Sequence, residues 1–168
     1  EKYGIPQAGL SEVPQPAWRK KIRDQVREVE TERWLRETQV KSSLAVYSSA
    51  KHTITKENLY DNTRGSGLLC EARSGVLRTR TIRAKYTEGL DTRCPRCGAA
   101  DEAIQHVVIE CPELRPAPTT TATTPTEALL TALGLQSTSL PEETRVIMRA
   151  VETTKRRLED WWRNREDC

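Results

Sequence analysis

The spacing of large apolar side chains predicts the first helix. Residues 1–16 hold three prolines and two glycines, which is typical of an extended lead-in. After them, charged residues are interspersed with apolar ones. On a helix that advances roughly 100° per residue, these apolar positions fall within about 80° of one another and form a stripe. The stripe consists of Trp18, Ile22, Val26 and Val29. We therefore predict a helix over 17–33.

A second helix is predicted after a glycine-containing turn. Its apolar face would consist of Leu68, Leu69, Ala72 and Val76. Cys70, next to two leucines, is expected to be a buried free thiol. The pattern indicates a helix over 66–79 and fails beyond it, because Arg80 and Arg83 would fall on the apolar side. Either the helix ends there, or these two arginines face a ligand or an acid.

The C-terminal third shows the most regular helical pattern. A Thr/Pro-rich linker over 116–126 precedes a short predicted helix that Gly134 closes. Pro141 then opens the last helix, and two acidic residues in its first turn suit the helix dipole. Its apolar stripe consists of Ile147, Val151, Thr154, Leu158 and Trp161. We predict a helix over 141–164, while its packing partner stays undecided.

Four residues in the pattern C-x2-C-x8-H-x4-C predict a metal site: Cys94, Cys97, His106 and Cys111. Three thiolates and one imidazole form a donor set that tetrahedral Zn2+ takes. Pro95 and Gly98 suit the tight turn of a C-x2-C pair. His106 and Cys111 lie about one helical turn apart, so a short helix or a turn can direct both at one ion. We predict one Zn2+ in a knuckle over 94–111, with a short hairpin before the histidine and with Cys70 and Cys168 outside the site.

Other interpretations of the cysteines are a redox pair and disulfides. A redox C-x2-C pair lacks its usual βαβ setting here, and disulfides leave one of the five cysteines over and give His106 no role. Because all four ligands come from the protein, no position stays open for water, and a structural ion is favoured over a catalytic one. Neither an H-E-x-x-H pattern nor the deaminase order of histidine before C-x2-C occurs.

Composition favours a small core that a metal ion helps to stabilise. Hydrophobic residues make up 36% of the chain, Phe is absent, and 30% of residues are charged. The predicted fold class is mainly α: a small helical domain with a CCHC zinc knuckle and a long C-terminal amphipathic helix. The predicted organisation is a lead-in over 1–16, a helical region with the knuckle over 17–115, the linker over 116–126 and C-terminal helices over 127–168. The residues expected to be buried or half-buried are Trp18, Ile22, Leu69, Val76, Leu158 and Trp161.

Positive charge is concentrated before the knuckle. Between Arg64 and Arg96 there are eight Lys/Arg residues against three acidic ones, although the net charge of the whole chain is only +3. A basic surface beside a zinc site suggests nucleic-acid binding, with Tyr86 available for base stacking. The predicted phosphate contacts are Arg73, Arg78, Arg80, Arg83, Lys85, Arg93 and Arg96. The competing interpretations are a solvated charged face, or salt bridges to the acids Asp91, Asp101 and Glu102.

Two segments carry a resemblance to a known family. The stretch from LYDNTRGSG to IECP resembles the C-terminal region of LINE-type non-LTR retrotransposon polyproteins, of the kind abundant in tick genomes. Such tails carry an LL-x-x-x-R-x-G-x-L block, then C-x2-C, an acidic patch and H-x4-C-P. The block is formed here by Leu68, Leu69, Arg73, Gly75 and Leu77. Asp101 and Glu102 supply the acidic patch, and Pro112 follows Cys111. The KRRLEDWWR segment is also similar, so that the resemblance extends over roughly residues 18–165.

The resemblance implies a non-catalytic tail that follows a reverse transcriptase. Its zinc knuckle would assist binding of single-stranded template RNA or of target DNA during target-primed reverse transcription. No polymerase or endonuclease motif occurs in the chain, so we expect no enzyme activity and no small-molecule substrate. The alternative is a structural or protein-interaction tail, in which the ion only stabilises the fold and the stripe over 147–161 docks on the polymerase.

The expected location is the cytoplasm or nucleus, where thiols stay reduced. No apolar stretch approaches eighteen residues and no signal peptide is recognisable, so no membrane partner is expected. The chain looks like the final part of a longer protein.

Overall fold

The structure is a computed structural model that describes Tyr3 and residues 15–119, 122–136 and 138–165. Most of the predicted lead-in, two residues of the predicted linker and Cys168 lie outside the described residues. The described part contains helices and no strand, which confirms the predicted mainly α class. The helices are α1 (Gln15–Val40), α2 (Ala45–Ala50), α3 (Arg64–Arg73), α4 (Arg80–Arg83), α5 (Pro125–Ala132) and α6 (Pro141–Arg163). A 3-10 turn over Ser42–Leu44 and a π-helical turn over His106–Glu110 complete the set.

The first helix runs further than its apolar stripe. It starts near the predicted residue but continues to Val40, and it packs against α2 and the 3-10 turn before α2. Trp18 and Ile22 are half-buried, as expected. At the far end, Trp34 meets Tyr47 of α2 edge to face, with ring centroids 6.0 Å apart. The apolar contact that fixes α1 therefore lies at its C-terminal end.

The core forms where α6 crosses α3 and α5. The whole predicted stripe of α6 is buried, including Leu158 at 0% and Trp161 at 2% exposure. Its contacts are with α3, α5 and the π-helical turn. Because this stripe is used inside the chain, it is not available to dock on another protein, and that form of the interaction-tail hypothesis is wrong.

Polar contacts around the buried Lys155 also connect α6 to the start of α3. The Lys155 ammonium of α6 lies 3.0 Å from Asp61 and 2.7 Å from Glu152. Glu159 accepts a hydrogen bond from the Gly65 amide at 2.8 Å, at the first turn of α3. A side chain at Gly65 would approach the Lys155 Cβ to 2.8 Å, so glycine permits this crossing. The positively charged C-terminal half of α6 is thus partly internal.

The predicted burial of Val76 and of Cys70 is wrong, and the two errors have different causes. Helix α3 ends at Arg73, six residues earlier than predicted, because Gly75 takes a left-handed conformation with φ of +68°. The chain therefore leaves the helical face, so that Val76 is 48% exposed and Leu77 is buried in its place. Cys70 is exposed since Leu68 and Leu69 occupy the buried face of α3.

None of the described helices combines the length and the apolar character needed to cross a bilayer.

Candidate metal centre

A short hairpin carries the first two cysteines. Arg93 and Asp101 form an antiparallel bridge, and the Cys94 amide donates to the Ala100 carbonyl at 2.8 Å. Gly98 takes a φ of +64°, which only glycine adopts without strain. The predicted hairpin is therefore present, and it places both thiols of the C-x2-C pair at its tip.

A single π-helical turn carries the other two candidate ligands. Its hydrogen bonds span five residues, and the Cys111 amide donates to the His106 carbonyl at 2.7 Å. Residues five apart then lie on the same side of the turn. Val107 and Val108 are fully buried in the core and hold the turn against α5 and α6. The two side chains consequently face the hairpin tip together.

The four side chains meet at one point. Their ligand atoms all lie within 4.8 Å of one another, so Cys94, Cys97, His106 and Cys111 could hold a metal ion. The Cys94 and Cys111 sulfurs are 3.8 Å apart, and the Cys97 sulfur lies 3.3 Å from His106 Nε2. A tetrahedral ion with Zn–S bonds of about 2.3 Å separates two sulfurs by about 3.8 Å. The predicted convergence is confirmed, and the Cys94–Cys111 separation matches that of two thiolates on one Zn2+.

The sulfur geometry also bears on the competing interpretations. A disulfide needs two sulfurs about 2.05 Å apart, which the Cys94–Cys111 separation of 3.8 Å excludes in this conformation. All four described cysteines are free. Because Cys94, Cys111 and His106 are each at most 4% exposed, the cluster is closed on its inner side, as structural ions require.

The thiols of the cluster differ in acidity. A hydrogen bond from the Ala99 backbone amide holds the pKa of Cys97 below its ordinary value. Burial raises the pKa of Cys111 to about 11, and the neighbouring Cys94 sulfur adds to that rise. Cys111 is therefore a neutral thiol at pH 7 unless a cation displaces its proton. Metal binding must then release protons and weaken as the pH falls.

A carboxylate faces the outer nitrogen of the histidine. His106 presents Nε2 to the cluster, while Nδ1 lies 3.8 Å from a Glu110 carboxylate oxygen. Metal-bound histidines usually turn their second ring nitrogen toward such a group, which fixes the tautomer and the ring orientation. Glu110 was missed from the sequence, although its spacing of four residues from His106 is a readable signal.

A buried arginine holds the segment that carries the last two ligands. Arg157 of α6 is fully buried, and its guanidinium donates to the carbonyls of Val107 (2.8 Å), Cys111, Leu114 and Pro116 (3.2 Å). Burial lowers the pKa of Arg157, and attraction to the Cys111 sulfur opposes that shift. No local sequence signal marks this residue, because its partners lie more than forty positions away.

The basic segment is attached to the knuckle through Glu102. The buried Glu102 carboxylate accepts a hydrogen bond from the Arg80 amide at 2.9 Å. The backbone carbonyl of Glu102 accepts another from the Thr81 hydroxyl at 3.0 Å. Helix α4 is therefore fixed to the segment of the hairpin that follows the C-x2-C pair. The two arginines that broke the helical pattern lie on this separate short helix and not on the apolar face of α3.

Five of the predicted contacts are available at the surface. Arg78, Lys85 and Arg93 are exposed, whereas Arg80 and Arg83 are half-buried. None of these five forms an ion pair with another described residue. These residues therefore form a basic surface that has no ion pair within the described part of the chain, and we call it the α4 surface.

The acids that could have neutralised the α4 surface have other partners. Asp91 accepts from the Arg93 amide at 3.0 Å, and Asp101 accepts from the Thr92 hydroxyl at 2.7 Å. Together with Glu102, they bond to backbone and hydroxyl groups and not to guanidinium groups. The competing salt-bridge interpretation is therefore not supported in this conformation.

Two of the predicted contacts are placed elsewhere. Arg73 is 2% exposed, lies 2.8 Å from Glu57, and faces the rings of Tyr47 and Tyr60. Its guanidinium is enclosed and pairs with the half-buried Glu57, so Arg73 is not available to a phosphate in this conformation. Arg96 is half-buried and pairs with Asp160 of α6 at 3.2 Å, so its charge is partly neutralised.

No protein-family model, no curated protein and no solved structure matches the chain.

Proposed function

We propose that this chain is a non-catalytic, zinc-stabilised module that binds single-stranded nucleic acid through the α4 surface. The observation that carries the proposal is the junction of two features. A convergent Cys3His cluster is joined through Glu102 to a short helix whose arginines have no acidic partner among the described residues.

The chemistry of the donor set supports a structural zinc ion. Three thiolates with one imidazole suit Zn2+ and leave no position for a substrate or water. Zinc bound there would join the hairpin tip, which carries Cys94 and Cys97, to the π-helical turn, which presents His106 and Cys111. The ion would therefore hold the shape of the α4 surface and take no part in a reaction.

Unpaired surface charge supports nucleic acid as the partner. Phosphate contacts from Lys and Arg position a nucleic acid without reading its sequence. Tyr86, at 86% exposure, follows Lys85 and offers an aromatic face for an unstacked base. Template RNA of a retrotransposon is the partner that the family resemblance suggests, with target DNA as its second form. In that setting the module would follow a reverse transcriptase in one polyprotein.

The residues of the LL-x-x-x-R-x-G-x-L block have internal roles, which is compatible with nucleic-acid binding by the α4 surface. Leu68, Leu69 and Leu77 are buried, Gly75 makes the turn that ends α3, and Arg73 pairs with Glu57 inside the protein. These residues therefore serve the internal structure of the protein. Binding would then fall to residues between the block and the knuckle.

A salt titration of the purified, zinc-loaded chain tests the proposal. Metal content is measured first, and binding to single-stranded RNA is then followed at several salt concentrations, with single-stranded DNA in parallel. Each phosphate contact contributes a log–log salt slope of roughly −0.7 on single strands. Replacing Arg78, Arg80 and Arg83 together by Ala should weaken binding and flatten the slope by about two units.

A matched control removes three arginines elsewhere. Arg23, Arg27 and Arg36 are exposed on α1, and their replacement by Ala lowers the net charge equally. This variant should keep the parental salt slope. If both triple variants weaken binding alike, the effect is one of net charge, and the α4 surface is not the site. If the parent shows no salt-sensitive binding, the structural or protein-interaction tail becomes the better hypothesis.

A further inference from the structure

Arg157 is a buried cation without a carboxylate partner. It is 0% exposed, and no described carboxylate lies within ion-pairing distance of it. Asp160, on the same helix, attracts the Arg157 charge but forms its ion pair with Arg96. Burying an unpaired charge is strongly unfavourable, because carbonyl dipoles replace only part of the lost hydration. Such a residue needs a source of negative charge close by.

The metal cluster is that source when it is loaded. The guanidinium bonds to the carbonyl of Cys111, one of the four ligand residues, and to that of Val107, which follows His106. A divalent ion bound by three thiolates and a neutral imidazole carries one net negative charge. That charge is largely shielded from water, since three of the four ligands are buried. One buried anion and one buried cation thus lie side by side.

We propose that Arg157 is the counter-charge of the metal centre, a positioning residue that stabilises the three-thiolate, divalent-ion state of the cluster. This inference rests on the metal site of the proposed function. The carbonyl bonds orient the guanidinium, and its fixed charge stabilises the net negative charge that the loaded cluster would carry. Without the ion, Arg157 is left uncompensated, so metal binding and the docking of α6 on the knuckle reinforce each other.

Competition with a chromophoric zinc chelator measures the effect in three variants. Arg157→Gln keeps hydrogen-bond donors but removes the charge, and zinc affinity should fall about 10- to 100-fold, as for other residues that contact metal ligands. Arg157→Lys keeps the charge and should recover most of that loss. Arg156→Met, an exposed neighbour on the same helix, is the matched control and should bind like the parent. The absorption of bound Co2+ checks that each variant retains a tetrahedral cluster.

The outcomes separate the hypotheses. Equal losses in the Gln and Lys variants would overturn the charge argument and leave Arg157 as a carbonyl anchor only. Parental affinity in Arg157→Gln would also overturn it. A parent that binds no zinc would defeat the proposed metal site itself. Should a variant be unfolded without metal, the competition still reports its affinity, because folding and binding are then one step.

Discussion

Gly75 offers a stringent test of how the helical layers are joined. It takes a φ of +68° immediately after α3, and a methyl group at this position would lie 1.9 Å from the Ser43 carbonyl oxygen. A carbon and an oxygen in van der Waals contact are normally more than about 3 Å apart. The 3-10 turn over Ser42–Leu44 would therefore have to move by more than about 1 Å, and α2 would move with it.

The stability that Gly75→Ala should lose has two contributions, one from backbone conformation and one from the steric clash. The left-handed conformation costs an alanine about 1–2 kcal/mol relative to glycine. Displacing a packed backbone segment adds about 1–3 kcal/mol, as other overpacked sites do. Gly75→Ala should therefore destabilise the protein by about 2–5 kcal/mol. With a urea slope of about 2 kcal/mol/M, the unfolding midpoint would fall by about 1–2.5 M.

Two other glycines separate these parts. Gly89 also has a positive φ, of +72°, but has no atom within 4 Å of an added methyl group, so Gly89→Ala should show the conformational loss alone. Gly67 lies within α3 in open space, and Gly67→Ala should stabilise the protein by about 0.5–1 kcal/mol. Urea unfolding in excess zinc gives all three values. If Gly75→Ala loses no more stability than Gly89→Ala, the close approach of Gly75 to the 3-10 turn over Ser42–Leu44 is refuted.

Two further predictions concern the half-buried Glu57 and the Cys3His cluster. Burial would raise the pKa of Glu57, but hydrogen bonds from Arg73 and Lys51 hold that pKa below its ordinary value. This stabilisation is present above the unfolded-state pKa of about 4.3 and is lost as the pH falls through the lower folded-state pKa. Glu57→Gln should therefore destabilise the protein by about 2–4 kcal/mol at pH 7. In urea unfolding, the difference in unfolding free energy between variant and parent should shrink as the pH falls. A difference that stays constant with pH would contradict the pairing with Arg73. Cys97→Ala should lose bound zinc and part of its helical circular dichroism, whereas Cys70→Ala, at an exposed thiol outside the cluster, should retain both; equal metal content in the two variants would exclude Cys97 as a ligand.

The sequence was most informative where a residue's role depends on its near neighbours. The convergence of Cys94, Cys97, His106 and Cys111 followed from spacing alone, because a hairpin tip and a helical turn leave little freedom within eighteen residues. The buried stripe of α6 followed from periodicity in the same way. Zinc itself, nucleic-acid binding and the retrotransposon setting remain predictions.

Residues with distant partners could not be read from a local pattern. The periodicity argument assumes that a helix continues, and it placed Val76 wrongly because the left-handed Gly75 ends α3 first. A count of charges treats every arginine as equal. It could not separate the exposed Arg78 from Arg73, which pairs with Glu57 sixteen residues away.

The metal cluster, the core and the α4 surface form one connected unit. Arg157 links α6 to the turn that bears His106 and Cys111, and Glu102 links the hairpin that bears the other two ligands to α4. Loss of the ion would free both links at once, because each holds a segment that the ion joins. The α4 surface would then lose its fixed geometry even though none of its arginines is a ligand. We therefore expect metal loading to stabilise the geometry in which this chain presents its positive charge.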